Sequence, residues 1–288
     1  MEITINSFYL SVDLEDFTFD VNRSIGNKDI INEDALWFSY EVINNFCNKH
    51  LGSKKITFFT TGTVARTTPS LLRKITEDGH EVSSHYDFHD LMTHQGINEV
   101  RRNLENAIEA IENATGLRPK GFRAPAFSIP QSRQDIFSLL IDYFEYDSSL
   151  VLYRNNILSG DYKSTDIFLN NNFKEFPIVP KSRFNGYMNI KSGGTYLRVF
   201  SSNMIKEVLD YNISNNFVPL IYMHPYDYLF EKEFWVDYKY FKKLPFFQRI
   251  NRYMRQNQWL NFGNKNTLSK VLTLLKDYKH IGRMGFDT

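Results

Sequence analysis

The chain has 288 residues, a formal net charge of +1 and a hydrophobic fraction of 42%. The charge balance excludes the bulk positive excess that draws proteins to nucleic acids or anionic membrane surfaces. The apolar fraction is large enough for a sizeable core. The single cysteine, Cys47, excludes an intramolecular disulfide and is compatible with a reducing compartment. Its helical spacing from apolar neighbours predicts a core residue rather than a nucleophile.

Residues 1–6 are not basic and lead directly into a strand-like run, so we predict no signal peptide. No apolar run reaches the length of a transmembrane helix. These two observations favour a cytoplasmic protein. The 17 tyrosines and 25 phenylalanines would suit a sugar-binding cleft, because sugar rings stack on aromatic faces, but composition alone favours a large aromatic core.

Strand-like and helix-like patterns alternate along most of the chain. In chain order, strands are predicted at 8–12, 55–59, 81–84, 143–147 and 217–223. Helices are predicted at 35–50, 69–77, 98–114, 132–142 and 267–278, and the third of these has the clearest apolar stripe. Residues 151–195 are polar and asparagine-rich and predict long loops with short strands. The alternation predicts parallel βαβ units.

Polar residues of interest follow directly after several of the strands. In chain order they are Asp13, Asp16, His85, His89, Arg123 and His224. In an α/β barrel the carboxyl ends of the strands share one face, where active sites are built. We therefore expect these side chains to converge on one pocket.

Two histidines four residues apart suggest a metal site. On a helical turn, His85 and His89 would face the same way and could bind one divalent ion. Three carboxylates, Asp13, Glu15 and Asp16, stand at the end of the first strand; one could complete the ligand set and another could act as general base. Each residue taken alone also has an ordinary explanation, such as a chance pair of surface histidines or a solvated acidic loop.

Arg123 and His224 each have a functional and a structural interpretation. An arginine in a rigid proline loop can pair with a carboxylate and fix its charged form, or it can form a surface salt bridge of little energetic weight. A histidine ending a buried strand can donate a proton near neutral pH, or it can be a satisfied core residue.

In combination, these features resemble the polysaccharide deacetylase family, the NodB-type enzymes of carbohydrate esterase family 4. The family's motifs appear in order over residues 8–227, in the segments 11–16, 84–89, 123–127 and 217–224. The stretches 121–127, 146–149, 193–198 and 223–225 are most similar to a branch found in exopolysaccharide and surface-antigen gene clusters. The resemblance implies a distorted (β/α) barrel with about seven strands. It also implies a single catalytic domain, 1–288, in which residues 230–288 form a C-terminal helical extension.

The resemblance also implies roles for residues at matching positions. Asp13 would be the general base, Arg123 the residue that orients it, and His224 the general acid. The implied metal ligands are His85, His89 and a carboxylate. The family's usual pair of adjacent aspartates is absent, which leaves Asp16 or Glu15 as the third ligand, and we choose Asp16. The implied substrate contacts are Pro125, Phe127 and Tyr226. The family's fourth motif is not recognisable, and Asp147 is the candidate for its acidic residue, which tunes the general acid.

The implied function is a metal-dependent hydrolase that removes an acetyl group from an N-acetylated, less readily an O-acetylated, sugar in surface polysaccharide biosynthesis. The metal would be zinc (Zn2+), with Co2+, Ni2+ or Mn2+ as alternatives. The substrate would be nucleotide-linked or lipid-linked, and no nucleic-acid partner is expected. Two other functions stay open: a deformylase or other C–N amide hydrolase on the same fold, and a non-catalytic glycan-binding module.

Overall fold

The structure is a computed structural model, and it describes residues 6–24, 31–159, 173–183, 186–229 and 237–287. Parts of the predicted loop 151–195, and the start of the extension predicted from residue 230, lie outside the described residues. The division of the chain into one domain with an extension stays a prediction. Within the described residues, no helix is both long enough and apolar enough to cross a membrane.

The strands are β1 (Ser7–Leu14), β2 (Thr57–Thr60), β3 (Glu81–Ser84), β4 (Gly121–Phe122), β5 (Tyr146–Asp147), β6 (Lys174–Glu175), β7 (Lys181–Arg183), β8 (Met188–Ile190), β9 (Leu220–Met223) and β10 (Lys279–His280). The helices are α1 (Phe17–Ser24), α2 (Glu33–His50), α3 (Gly62–Thr67), α4 (Pro69–Glu77), α5 (Ile97–Thr115), α6 (Gln134–Tyr143), α7 (Arg154–Ser159), α8 (Gly194–Val199), α9 (Ser202–Ser214), α10 (Pro225–Tyr228), α11 (Phe246–Asn261) and α12 (Thr267–Leu274). The helix predicted at 69–77 and the strand predicted at 81–84 are confirmed with the same bounds.

The main sheet is parallel at every described strand pair. Its hydrogen-bonded order runs β10, β1, β2, β3, β4, β5, β6, and β9 also pairs with β1. β7 and β8 form a separate antiparallel pair. Seven of the parallel strands, β9 and β1 to β6, form a curled half-barrel with helices between them, which confirms the predicted distorted (β/α) barrel.

Side chains alternate between the two faces of each strand, and this alternation creates two distinct environments. On β1, Leu10 and Val12 belong to the large core beneath the helices. Tyr9 instead joins a smaller inner cluster with Phe59 and Tyr222. Ser11 and Asp13 follow Tyr9 on the same face of β1 and are polar. The inner face of the sheet therefore becomes hydrophilic toward the carboxyl ends of its strands. Cys47 is buried in the large core, as predicted.

Gly121 lies where the ring of Tyr146 crosses the sheet. A Cβ at this position would stand 1.9 Å from Tyr146 Cζ, and the Tyr146 hydroxyl is fixed by hydrogen bonds to Ser83 and Glu81. We expect Gly121→Ala to lower the free energy of unfolding by about 1–3 kcal/mol, because the buried ring must move. Chemical denaturation measures this, with Gly96→Ala as the control, since nothing lies within 4 Å of a Cβ there. Equal losses in the two variants would contradict the prediction.

Candidate metal and catalytic site

Asp13 and Arg123 form a buried ion pair on the inner face of the sheet. Arg123 Nη1 donates to Asp13 Oδ1 at 2.5 Å and to Ser11 Oγ at 2.9 Å, and Nη2 donates to Ser148 Oγ at 3.1 Å. The guanidinium carbon lies 4.0 Å from the centroid of the Phe59 ring. Because a buried charge must be paired and hydrogen-bonded, this arrangement fixes the orientation of the Asp13 carboxylate.

Three metal-binding side chains meet beside this ion pair: Glu15, His85 and His89. One donor atom from each lies within 4.8 Å of the other two. Glu15 Oε2 is 2.9 Å from His89 Nε2 and 3.6 Å from His85 Nε2. Donor atoms about 2.0–2.1 Å from a tetrahedral zinc ion stand roughly 3.3 Å from one another. The cluster therefore has the spacing that a single divalent ion requires.

The hydrogen bonding around this cluster also fits a metal. Glu15 Oε2 and His85 Nε2 are buried and no hydrogen bond of good geometry reaches either atom from the described residues; Glu15 Oε2 has only the ion pair with His89 Nε2 at 2.9 Å. His85 Nδ1 lies 2.8 Å from the carbonyl oxygen of Arg123, which assigns the proton to Nδ1 and leaves the Nε2 lone pair facing the cluster. Unpaired buried polar atoms are costly, and a bound cation would satisfy both of them.

Electrostatics keep the Glu15 side chain ionised. Burial by itself would raise the pKa of Glu15, but His89 and His85 beside it hold that pKa well below its usual range. Burial would lower the pKa of His89, but the Glu15 carboxylate outweighs this effect and raises it to about 9. Glu15 is thus in the carboxylate form that binds metals, and His89 must release a proton when it binds one.

Asp16, our preferred third ligand, does not reach the histidines. Its Oδ1 accepts hydrogen bonds from the backbone N–H groups of Thr18 and Phe19 at 3.0 and 3.2 Å, at the start of α1. Its Oδ2 accepts from the Asn32 N–H at 2.9 Å. Since side chains alternate along an extended chain, Glu15 continues the inner face of β1 and Asp16 points away from it. This geometry favours Glu15 over our choice, Asp16, as the third metal ligand.

The two histidines lie on an irregular loop and not on the helical turn that we predicted. Tyr86 between them has a positive φ of 70°, which folds the loop so that the imidazole centroids stand 5.5 Å apart. The start of α3 holds the loop: Gly62 N–H donates to the Tyr86 carbonyl at 2.9 Å, and Arg66 donates to Asp87 Oδ1 at 2.6 Å. The Gly62 N–H, which has no partner within its own helix because it lies in the first turn, is thereby hydrogen-bonded.

His224 faces Asp13 from the end of β9, with its Nε2 3.7 Å from Asp13 Oδ2. Its Nδ1 lies 2.7 Å from Asp227 Oδ2, and Asp227 Oδ1 lies 2.7 Å from Arg198 Nε. Asp227 and Arg198 are both buried. Burial would lower the pKa of His224, but the Asp227 carboxylate outweighs it and raises that pKa above the ordinary value. The imidazole can therefore hold a proton at neutral pH.

Asp147, our candidate for tuning His224, lies on a different part of the site. It accepts hydrogen bonds from the Ser149 N–H and hydroxyl at 3.0 and 2.6 Å, and it pairs across the sheet with Glu175. Burial raises the pKa of both carboxyl groups, and Asp147 raises that of Glu175 further. Asp227 stands against His224 instead. Asp227 was not predicted from the sequence, because a histidine followed by an aspartate is not the usual Ser/Thr and Glu/Gln pair of a capping box; the structure shows the His224 N–H donating to Asp227 Oδ2 at 2.8 Å.

A cavity of about 570 Å³ opens over these groups. Phe127 and Tyr226, two of the three predicted substrate contacts, line it, and the Tyr226 ring stacks on His224 with centroids 4.9 Å apart. The third, Pro125, is buried and is not among the lining residues. It precedes two residues with positive φ, Ala126 and Phe127. Its position therefore favours a role in shaping the loop rather than in contacting a substrate.

Asp227→Asn is expected to lower kcat by about tenfold or more while changing KM little. An amide cannot stabilise the imidazolium of His224 as a carboxylate does, and general acid–base groups contribute about 10²–10⁴-fold to rates. The readout is steady-state kinetics on the metal-loaded protein, with Ser201→Ala, an exposed helix cap, as the control for general loss of stability. Unchanged kcat in Asp227→Asn would remove His224 from proton transfer.

The family model for polysaccharide deacetylases matches residues 50–139. A peptidoglycan-N-acetylglucosamine deacetylase, PgdA, of Listeria monocytogenes is 30% identical over 101 residues, which are 35% of this chain and 22% of the relative. The uncharacterized protein YlxY of Bacillus subtilis is 34% identical over 82 residues, 28% of this chain and 26% of the relative. The match thus spans about a quarter of each of these curated relatives.

Among solved structures, the Bc1960 peptidoglycan N-acetylglucosamine deacetylase is 14% identical with a TM-score of 0.48, covering 96% of this chain and 86% of that one. BA3943 of Bacillus anthracis, a pseudoenzyme of carbohydrate esterase family 4, is 12% identical with a TM-score of 0.47, covering 97% and 64%. The matched family segment contains both histidines of the site, so the chain resembles the polysaccharide deacetylase family over residues 50–139.

Proposed function

We propose that the protein is a metal-dependent deacetylase that removes the acetyl group from an N-acetylated, less readily an O-acetylated, sugar. One observation supports the proposal: a three-donor cluster suited to a divalent ion lies beside both a carboxylate that pairs with Arg123 and a histidine that pairs with Asp227. The facing atoms, Asp13 Oδ2 and His224 Nε2, are 3.7 Å apart. Amide hydrolysis needs these functions together, because water must lose a proton and the departing amine must gain one.

Glu15, His85 and His89 would hold the ion, for which we propose zinc, with cobalt, nickel or manganese as alternatives. When bound, the ion would polarise the acetyl carbonyl and lower the pKa of water from about 15.7 toward about 7. Asp13 would accept the proton of the attacking water, since Arg123 donates to its carboxylate and orients it.

Two further groups of this chain would complete the reaction. His224 Nε2 would protonate the departing nitrogen, with Asp227 fixing the opposite side of its ring. Ala126 lines the cavity, and its backbone N–H would donate to the developing oxyanion, a contribution of the kind worth about 10²–10³ in kcat elsewhere.

We further propose a sugar of surface polysaccharide biosynthesis as substrate, linked to a nucleotide or a lipid, and a cytoplasmic location. The similarity of segments 121–127 and 193–198 to the exopolysaccharide branch supports the pathway. The name of the Listeria relative supports an acetamido sugar, and the aromatic lining at Phe127, Tyr222 and Tyr226 suits stacking on a sugar ring. The single buried cysteine is compatible with the reducing cytoplasm.

The test is a substrate panel on the metal-loaded protein with separate detection of acetate, formate and ammonia. We expect acetate release from N-acetylated sugars, dependent on added metal and lost on chelation. Formate or ammonia release without acetate would replace the proposal with another C–N hydrolase. Glycan binding without any turnover, in protein shown to contain metal, would indicate a binding module.

A further inference from the structure

Lys191 stands between two cavities. One is the cavity over the metal-binding cluster. The other, of about 430 Å³, runs along the loop 128–131 toward Tyr153 and Asn156. Both cavities are lined by Ala126, Phe127 and Lys191. The cleft therefore continues beyond the metal-binding cluster, past the Lys191 side chain.

No carboxylate pairs with Lys191 among the described residues. Its Nζ lies 4.9 Å from the centroid of the Phe127 ring, and burial lowers its pKa. Other lysines of the described chain behave differently: Lys181 pairs with Glu207 and Lys206 with Asp277. The ammonium group of Lys191 is thus half-buried and faces the aromatic ring of Phe127.

Such a group has unused binding capacity. An ammonium ion offers three hydrogen-bond donors, and a cation–π contact uses none of them. Partial removal from water is unfavourable for a charge without a counter-ion. A bound anion would recover that energy, and the adjoining cavity supplies room for one.

We propose that Lys191 forms an anion-binding subsite of this cleft, and that the acetylated sugar substrate carries a phosphate or a carboxylate next to the acetylated ring. The inference rests on the proposed deacetylation for its substrate, but the binding step can be measured without turnover. Phosphate from a nucleotide or lipid linkage and carboxylate from an acidic sugar share the chemistry that recognises an ammonium group, namely anionic oxygens.

The experiment compares three ligands in wild-type protein, Lys191→Met and Lys191→Arg, all metal-loaded. The ligands are UDP-N-acetylglucosamine, N-acetylmuramic acid and neutral N,N′-diacetylchitobiose. Dissociation constants come from calorimetry and kcat/KM from acetate release. Lys191→Met keeps most of the apolar stem and removes the charge, whereas Lys191→Arg keeps the charge.

We expect the preference for an anionic over the neutral ligand to fall by about 10–100-fold in Lys191→Met, the size of a lost hydrogen bond to a charged group. Lys191→Arg should keep most of the preference, and added salt should weaken it in wild-type protein. If Lys191→Met loses the preference for UDP-N-acetylglucosamine, the subsite binds phosphate. If it loses the preference for N-acetylmuramic acid, the subsite binds carboxylate. A ratio that is equal in wild type and Lys191→Met overturns the subsite.

The outcomes for reaction and subsite stay separate. If wild-type protein releases no acetate from any ligand, the proposed function fails, and the calorimetric ratio still decides the subsite. If Lys191→Met does not fold, the salt dependence of the wild-type ratio decides it: a preference that salt leaves unchanged overturns the ammonium as its cause.

Discussion

Glu15→Gln is expected to abolish metal binding, whereas Asp16→Asn is expected to leave the metal in place. Glutamine offers a neutral amide oxygen in place of the Glu15 carboxylate. The donor set then carries no negative charge, because its other two members, His85 and His89, bind metals as neutral imidazoles. We expect the affinity for a divalent ion to fall by more than about 100-fold, since even residues that only support metal ligands cost about 10–100-fold when changed. Metal content after dialysis, measured by elemental analysis, gives the result directly.

Asp16→Asn is the matched control for this experiment. It removes the charge from a neighbouring acidic residue whose oxygens accept backbone hydrogen bonds at the start of α1. Asparagine caps helices about as well as aspartate, so the fold should tolerate the change. Metal loss in Asp16→Asn with retention in Glu15→Gln would reverse the assignment and restore our first choice of ligand.

The contrast between these two carboxylates shows what the sequence could and could not decide. The resemblance to polysaccharide deacetylases pointed to an acidic pair after the first strand, and three carboxylates competed for two roles. Strand parity resolves the competition, because Asp13 and Glu15 are two positions apart and share the inner face of β1. That rule was available from the sequence, but Glu15 lies one residue beyond the end of β1 at Leu14. Only the contacts of Glu15 with His85 and His89 in the structure therefore show that the alternation holds there.

Other parts of the site depend on contacts that local sequence does not encode. The positive φ of Tyr86 brings two histidines together on a loop without a helix. Arg198, on α8, reaches Asp227 on α10 only because the two helices pack side by side at the barrel rim. By contrast, residues placed at strand ends by simple alternation, such as Arg123 and His224, could be expected to face one pocket from pattern alone.

Asp13→Asn is expected to lower kcat by about 10²–10⁴-fold, the usual contribution of a general base, while metal stays bound. The amide is nearly the same size and can still accept a hydrogen bond from Arg123, but it cannot take a proton from water. The measurement pairs acetate release with metal content on the same sample. Retained metal with lost turnover separates the base from the ligands, and loss of metal would make Asp13 a ligand.

The same substitution leaves the guanidinium of Arg123 buried without a counter-ion. Breaking a buried pair in this way typically costs about 3–5 kcal/mol, although Ser11 and Ser148 continue to accept from Arg123 and should reduce that cost. Thermal unfolding of Asp13→Asn therefore accompanies the kinetic measurement.

Arg123→Lys separates the two effects, because it keeps the base and a positive charge but loses the two-sided hydrogen bonding of the guanidinium. If Asp13 acts as the base and Arg123 as its positioning residue, Arg123→Lys should retain more activity than Asp13→Asn at equal metal content. The reverse order would mean that Arg123 contributes to the reaction more directly than its buried position beside Asp13 indicates.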